Sequence, residues 1–214
     1  MYTKISMEPV IMDSSIMGTT GIEDYIKRAN RVLGGAQYKL FVDGTPYWVN
    51  TYNSPRRAER ILSFFPESIN GPIVEVGSSE GNVTKALRQK YPDSELTVLE
   101  INTEFQEQVS MIDGVEFIPG DGFNPRKYFQ DSSVGLYLMM ANFAYGTSSM
   151  QLEKVEEVLS EVNSVLMDNG QLVISDEFSL ALFRKEDQKL KLYSHDNLKW
   201  SRNYIKILHV LGET

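Results

Sequence analysis

The chain has 214 residues, 42% of them hydrophobic, no cysteine, two histidines and a formal charge of −8. That length and apolar content support one sizeable α/β core with a short extension. Without cysteine there are no disulfides, thiolate nucleophiles or cysteine metal sites; His195 and His209 alone are no basis for a histidine-rich metal centre, so no metal is expected; and the negative charge argues against broad gripping of a nucleic-acid backbone.

No apolar run approaches the roughly 18 residues that span a bilayer. The N-terminus shows no basic stretch followed by an apolar one, so no signal peptide is expected and the location is read as cytoplasmic. Residues Met1 to about Asn70 do not read as part of a sheet core. Met1–Thr20 mixes Ser, Thr, Met and Gly without a period, as a loose segment or lid would. Gly21–Leu33 has helical spacing at Ile22, Tyr25, Ile26, Ala29, Val32 and Leu33, and Gly34-Gly35 stops it. Tyr38–Val49 reads as a hairpin about Asp43-Gly44. Ser54-Pro55 opens a second helix with an apolar face of Ala58, Ile61, Leu62 and Phe65.

From Pro72 onward the pattern alternates between strand and helix. Strands are expected at Ile73–Val76, Leu96–Glu100, Val115–Ile118, Val134–Met140 and Gln171–Ser175. Helices are expected at Asn82–Lys90, Thr103 to about Met111, and Ser148–Met167, where Leu152, Val155, Leu159, Val162 and Leu166 mark one face and Ser148 and Gln151 have capping-box spacing. A helix near Phe178–Gln188 and a closing strand pair at Leu190–Tyr193 and Tyr204–Val210 complete the expectation. This is a doubly wound, seven-stranded, mostly parallel α/β sheet with a terminal antiparallel hairpin and helices on both faces. The domain division expected is 1–70, an extension acting as lid or acceptor-side cap, and 71–214, the ligand-binding domain.

The chemistry gathers at the ends of the expected strands. Ile73, Val74 and Val76 form a buried β-branched run. It ends in Glu75-x-Gly77-Ser78-Ser79-x-Gly81, and Asn82 begins a helix. A strand, a glycine turn and a helix N-terminus bring backbone N–H groups close to a ligand, and Glu75 can accept hydrogen bonds. The spacing is not the G-x-G-x-x-G of dinucleotide folds. No tyrosine is followed four residues later by lysine, which removes the short-chain oxidoreductase reading. The second strand ends in Glu100, the third runs into Gly120-Asp121-Gly122-Phe123, and the fourth ends near Met140 and Asn142.

Glu75-x-Gly77-x-Ser79-x-Gly81 resembles the first motif of the class I S-adenosylmethionine-dependent methyltransferases, E/D-x-G-x-G-x-G, with Ser79 in place of the middle glycine. The resemblance covers about residues 72–211. It implies S-adenosylmethionine as cofactor, with S-adenosylhomocysteine as product. It implies a cofactor site of Glu75, Gly77, Ser78, Ser79, Gly81, Glu100, Ile101, Gly120, Asp121, Gly122, Phe123 and Met140. Glu100 would accept from the ribose hydroxyls and Asp121 from the adenine amino group. Met140-Ala141-Asn142-Phe143-Ala144-Tyr145 resembles a degenerate N-P-P-Y motif of the amino-group methyltransferases, with both prolines replaced. On that resemblance Asn142 would accept from an acceptor N–H and Tyr145 would shape its pocket. The expected acceptor is a nitrogen or oxygen of a small molecule or a protein side chain. Tyr47, Trp48, Tyr52, Asp176 and Glu177 are further pocket candidates. An RNA or nucleotide methyltransferase, for which Arg56, Arg57 and Arg60 are the only local support, and a non-catalytic cofactor-binding module stay open as alternatives. The sequence names no oligomeric state.

Overall fold

The middle one of five parallel strands is β4 (Ile73–Val76), and its β-branched side chains are buried on both sides. The structure is a computed structural model that describes residues 10–12, 37–42, 45–50, 58, 61–140, 150–175, 180–196 and 204–212. The chain divides into two compact units, Met1–Ser54 and Pro55–Thr214.

In the first unit, β1 (Val10–Met12) pairs in parallel with β2 (Gln37–Val42), which pairs antiparallel with β3 (Thr45–Asn50). The hairpin lies where its turn signal put it, with Val42 opposite Thr45 and two residues between them. Val10–Met12 is an exception to the absence of regular structure expected for Met1–Thr20. The helix expected at Gly21–Leu33 lies outside the described residues, as does most of the expected lid.

The second unit holds a seven-stranded sheet. Its strands are β4, β5 (Leu96–Glu100), β6 (Val115–Pro119), β7 (Val134–Met140), β8 (Leu166–Ser175), β9 (Leu180–Glu186) and β10 (Lys189–Asp196). They lie in the order β10-β9-β8-β7-β4-β5-β6. The five strands from β8 to β6 are parallel; β9 runs antiparallel to both β8 and β10. The chain therefore winds outward from β4 in one direction and from β7 in the other. The crevice that such an order opens lies at the carboxyl ends of β4 and β7.

The two faces separate by residue parity. Val74, Val76, Leu99, Tyr137, Met139, Leu172, Ile174, Ala181 and Phe183 pack with Val155, Val158, Leu159 and Val162 of α3 (Leu152–Val165) and with Ile207 of α4 (Ile205–Leu211). Ile73, Leu96, Leu136, Leu138, Met140, Val173 and Leu182 pack with Val83 and Leu87 of α1 (Asn82–Lys90) and with Ala58, Ile61, Leu62 and Phe65. Alternate strand residues point to opposite faces, and helices cover both. A short 3-10 turn (Thr103–Phe105) and α2 (Gln106–Ser110) follow β5.

Several boundaries differ from expectation for physical reasons. The helix expected at Ser148–Met167 spans Leu152–Val165, and no side chain caps its start. Asp168-Asn169-Gly170 is not a stop between helix and strand but an outward excursion within β8: Val134 pairs with Leu166 and Leu136 with Gln171, and Asn169 has φ 63. The helix expected near Phe178–Gln188 is instead β9, because Leu180-Ala181-Leu182-Phe183 is buried on both faces. The chain then reverses through Asp187 and Gln188, both at positive φ (51 and 63), the two-residue primed-turn geometry of a hairpin. The strand expected at Tyr204–Val210 is α4, closed by Gly212 at φ 71, whose N–H donates back to the carbonyl of His209. The terminal hairpin thus exists, one element earlier than expected. Its outer strand carries a bulge between Leu192 and Ser194 that turns Tyr193 outward, and the Arg184 guanidinium lies 3.8 Å from the Tyr193 ring centre. Lys185 is buried, and its ammonium donates to the Leu166 carbonyl at the end of α3 (2.7 Å).

Candidate functional site

Three turns follow β4, β5 and β6, and one side chain joins the first two. After β4, Gly77, Ser79 and Gly81 all have positive φ (77, 48 and 74). The Gly77 N–H donates to the Leu99 carbonyl, and Gly81 closes the turn onto Ser78, which is buried. Gly81 also packs so tightly that an added Cβ would lie 3.1 Å from Ile112, so two constraints require glycine there. It occupies the N-cap position of α1; no side chain caps this helix and no acidic residue stands in its first turn. A helix start left this way presents N–H donors and a positive dipole end.

Glu100 ends β5 and is 6% exposed. Its Oε2 accepts from the Ser79 N–H (3.2 Å) and its Oε1 from the Asn102 N–H (2.9 Å). Its carbonyl accepts from the N–H of Gly120, at the start of the third turn. Burial pushes the Glu100 carboxyl above its ordinary range, opposed by the N–H groups of Asn102, Ser79 and Ile101. A carboxylate has about four acceptor positions. The Ser79 and Asn102 hydrogen bonds leave acceptor positions for ligand hydroxyls, on a group already held in place. Ile101, next along the chain, is 78% exposed.

Glu75 is completely buried. Its Oε2 accepts from the Thr84 hydroxyl of α1 (2.7 Å), and its Oε1 has no partner among the described residues. Desolvation raises its carboxyl from 4.5 to about 7; the Thr84 hydrogen bond lowers it and the nearby Glu100 charge raises it. The side chain expected to face a ligand is therefore tucked under the first turn of α1.

In the third turn, Asp121 Oδ1 accepts from the Phe123 N–H (2.9 Å) and Oδ2 from the Asn124 amide (2.6 Å). The Asp121 N–H donates to the Tyr128 hydroxyl, and the Tyr137 hydroxyl to the Gly122 carbonyl (2.8 Å). An added Cβ at Gly122 would collide with Val76, and one at Gly120 would lie 2.6 Å from the Tyr128 ring. These glycines let the third turn sit against β4 and Tyr128. Phe123, half-buried, packs toward the α3 face of the core. Met140 is buried at the end of β7, whereas Asn142, Tyr145, Asp176, Glu177 and Tyr52, and the side chains of Tyr47 and Trp48 in β3, lie outside what is described.

Sequence reasoning overlooked Thr84, Asn102, Tyr128 and Tyr137, which hold the expected residues in place. Thr84 carried a signal, a hydroxyl in the first turn of the helix after Glu75. His195 and His209 are both exposed. Among the described residues no cluster of three or more metal-ligating side chains occurs, and no helix is long and apolar enough to cross a membrane. A cavity of about 400 Å³, lined in part by Asn70, Gly135, Gln171 and Arg184, opens at the amino ends of the strands, away from these turns.

Ser79 supplies a direct test of the first turn. A side chain at positive φ costs roughly 1 kcal/mol, and a β-branched one more. Ser79→Val should lower thermal stability by about 1–2 kcal/mol, whereas Ser79→Gly, which keeps the N–H to Glu100, should not lower it. Equal melting curves for the two variants would show that the turn does not need this conformation.

Searches of family models and of curated proteins found no match to this chain. Solved structures resemble it in fold. The YcgJ protein of Bacillus subtilis is 16% identical over 58% of this chain and 52% of its own, with a TM-score of 0.47. Phosphoethanolamine N-methyltransferase 1 of Haemonchus contortus, solved with phosphoethanolamine and S-adenosylhomocysteine, is 16% identical over 74% of this chain and 32% of its own, with a TM-score of 0.49. Geranyl diphosphate C-methyltransferase of Streptomyces coelicolor A3(2), solved with Mg2+, geranyl diphosphate and S-adenosyl-L-homocysteine, is 13% identical over 56% and 44%, with a TM-score of 0.46. The chain thus spans about half or less of the length of these proteins, and at such identities the likeness is one of fold.

Proposed function

We propose that the second unit binds S-adenosylmethionine across the turns after β4, β5 and β6, and that the chain is a methyltransferase acting on a nitrogen or oxygen of a small molecule or protein side chain. The observation that carries this reading is Glu100: a nearly buried carboxylate at the end of β5, fixed by the N–H groups of Ser79 and Asn102, with acceptor positions to spare. That arrangement suits the two hydroxyls of a ribose.

The neighbouring groups fit the rest of such a cofactor. The uncapped start of α1 offers N–H donors to its carboxylate. Glu75 and Glu100 supply negative charge beside its cationic groups. The Gly120–Phe123 turn, braced by Tyr128 and Tyr137, offers a rigid edge for the base, with Asp121 as acceptor for its amino group. Ile101 presents an apolar surface next to Glu100. When bound, the cofactor would supply an electrophilic methyl on a sulfonium. The protein's part is then to hold acceptor and methyl in line and exclude water. Asn142 and Tyr145, just beyond β7, are the residues we assign to the acceptor.

Calorimetry tests the cofactor assignment. S-adenosylmethionine and S-adenosylhomocysteine should bind, and NAD and ATP should not. Binding of NAD with no response to S-adenosylhomocysteine would overturn it.

A further inference from the structure

The charges around Glu75 do not balance within the described residues. Its carboxyl is wholly buried, one oxygen satisfied by Thr84 and the other by nothing. From β5 it faces a second carboxylate, Glu100. From β7 its neighbour is Leu138. From α1 its hydrogen-bond partner is Thr84; Lys85 is exposed, and Arg88, at the far end, donates to the carbonyls of Pro92, Ser94 and Gly114. On the same face, Ala58, Ile61, Leu62 and Phe65 are apolar, and Lys90 is held by the carbonyls of Leu62 and Phe65. Burying an ionised carboxylate on these terms is costly, and the neutral acid avoids that cost. Yet the residue lies two positions before Gly77 and directly against the first turn of α1, where a cation over the turn would favour the ionised form through a poorly screened medium.

We propose that Glu75 keeps its proton while no cation lies over the Gly77–Gly81 turn and gives it up to solvent when a cationic cofactor binds there. Cofactor binding is then coupled to the deprotonation of a residue that it need not touch. The Thr84 hydroxyl, which donates to the carboxylate, makes the ionised state reachable. Glu75 is on this account a positioning residue whose charge appears only when the ligand's does. The inference rests on the cofactor reading above and adds to it a proton balance: one carboxyl O–H bond breaks, and the proton leaves to the buffer.

The test is calorimetry of S-adenosylhomocysteine binding to the full chain in two buffers of different ionisation enthalpy. At about pH 6, where the ligand's amino group is cationic, the difference should report release of close to one proton, vanishing above about pH 8. Affinity should climb by up to about tenfold per pH unit between about pH 5 and 7. Glu75→Gln should remove the release. Thr84→Val, which deletes the hydroxyl donor, should carry it to higher pH and serves as the probe if the glutamine variant does not fold. Binding with no proton release in the wild type, or release undiminished in Glu75→Gln, would overturn the proposal while leaving the cofactor reading intact. No binding at all would overturn both.

Discussion

Glu100→Ala should weaken S-adenosylhomocysteine binding at least a hundredfold while the fold survives. Two hydrogen bonds to a charged acceptor are lost, each worth about 1.5–3 kcal/mol. The substitution also frees the N–H groups of Ser79 and Asn102, so the turns after β4 and β5 lose their shared anchor. The glutamine variant separates the two effects. It keeps one carbonyl oxygen but turns an NH2 toward one of the backbone donors, so it should bind weakly as well. Titration calorimetry measures both, and circular dichroism checks the fold. A dissociation constant unchanged by Glu100→Ala would place the ribose elsewhere.

The stability of the ligand-free protein should depend on pH through Glu75. The folded chain holds this carboxyl's proton up to about pH 7, whereas the unfolded chain releases it near 4.5. Between those values the folded state binds more protons. Stability therefore falls as pH rises from about 4.5 to 7 and is level above. The raise is worth about 3 kcal/mol. In Glu75→Gln this dependence is absent, so the difference in unfolding free energy between variant and wild type should grow in the variant's favour by about 3 kcal/mol from pH 4.5 to 8. A constant offset from the amide's own buried N–H groups does not alter that change. Denaturant unfolding at several pH values measures it, and a difference that stays flat would show that Glu75 ionises normally.

The reach of sequence reasoning differed along the chain. Strands β4, β5 and β7 were legible because both faces of a parallel sheet bury them, which writes a short, mostly apolar run: Ile73, Val74 and Val76 in β4, Leu96, Val98 and Leu99 in β5, and Leu136–Met140 in β7. Residues 180–186 gave a misleading pattern: Leu180-Ala181-Leu182-Phe183 is apolar throughout, and Asp187-Gln188 lacks the glycine that usually marks a primed turn. In α4, Ile205, Ile207 and His209 alternate as a strand would, and only Gly212 at the C-cap and the buried pair Tyr204 and Ile207 disclose the helix. At the site, the acidic strand end Glu100 was legible. The burial of Glu75 was not, because the partner that draws it inward, Thr84, lies nine residues away across a turn. Long-range braces such as Tyr137 to Gly122 leave no local trace in the sequence.

The bulge in β10 bears on what the outer edge of the large sheet offers to another strand. Among the described residues β10 is the outermost strand of the large sheet and pairs with β9. A straight eight-residue edge would display an even row of donors and acceptors on which a second chain could polymerise. Between Leu192 and Ser194 that row loses its register, Tyr193 stands out from it, and Arg184 lies over the ring. An incoming strand would meet a kink and a cation before it had paired along half of the edge. The irregularity thus makes this stretch of edge a poorer template for a second strand than a straight one would be.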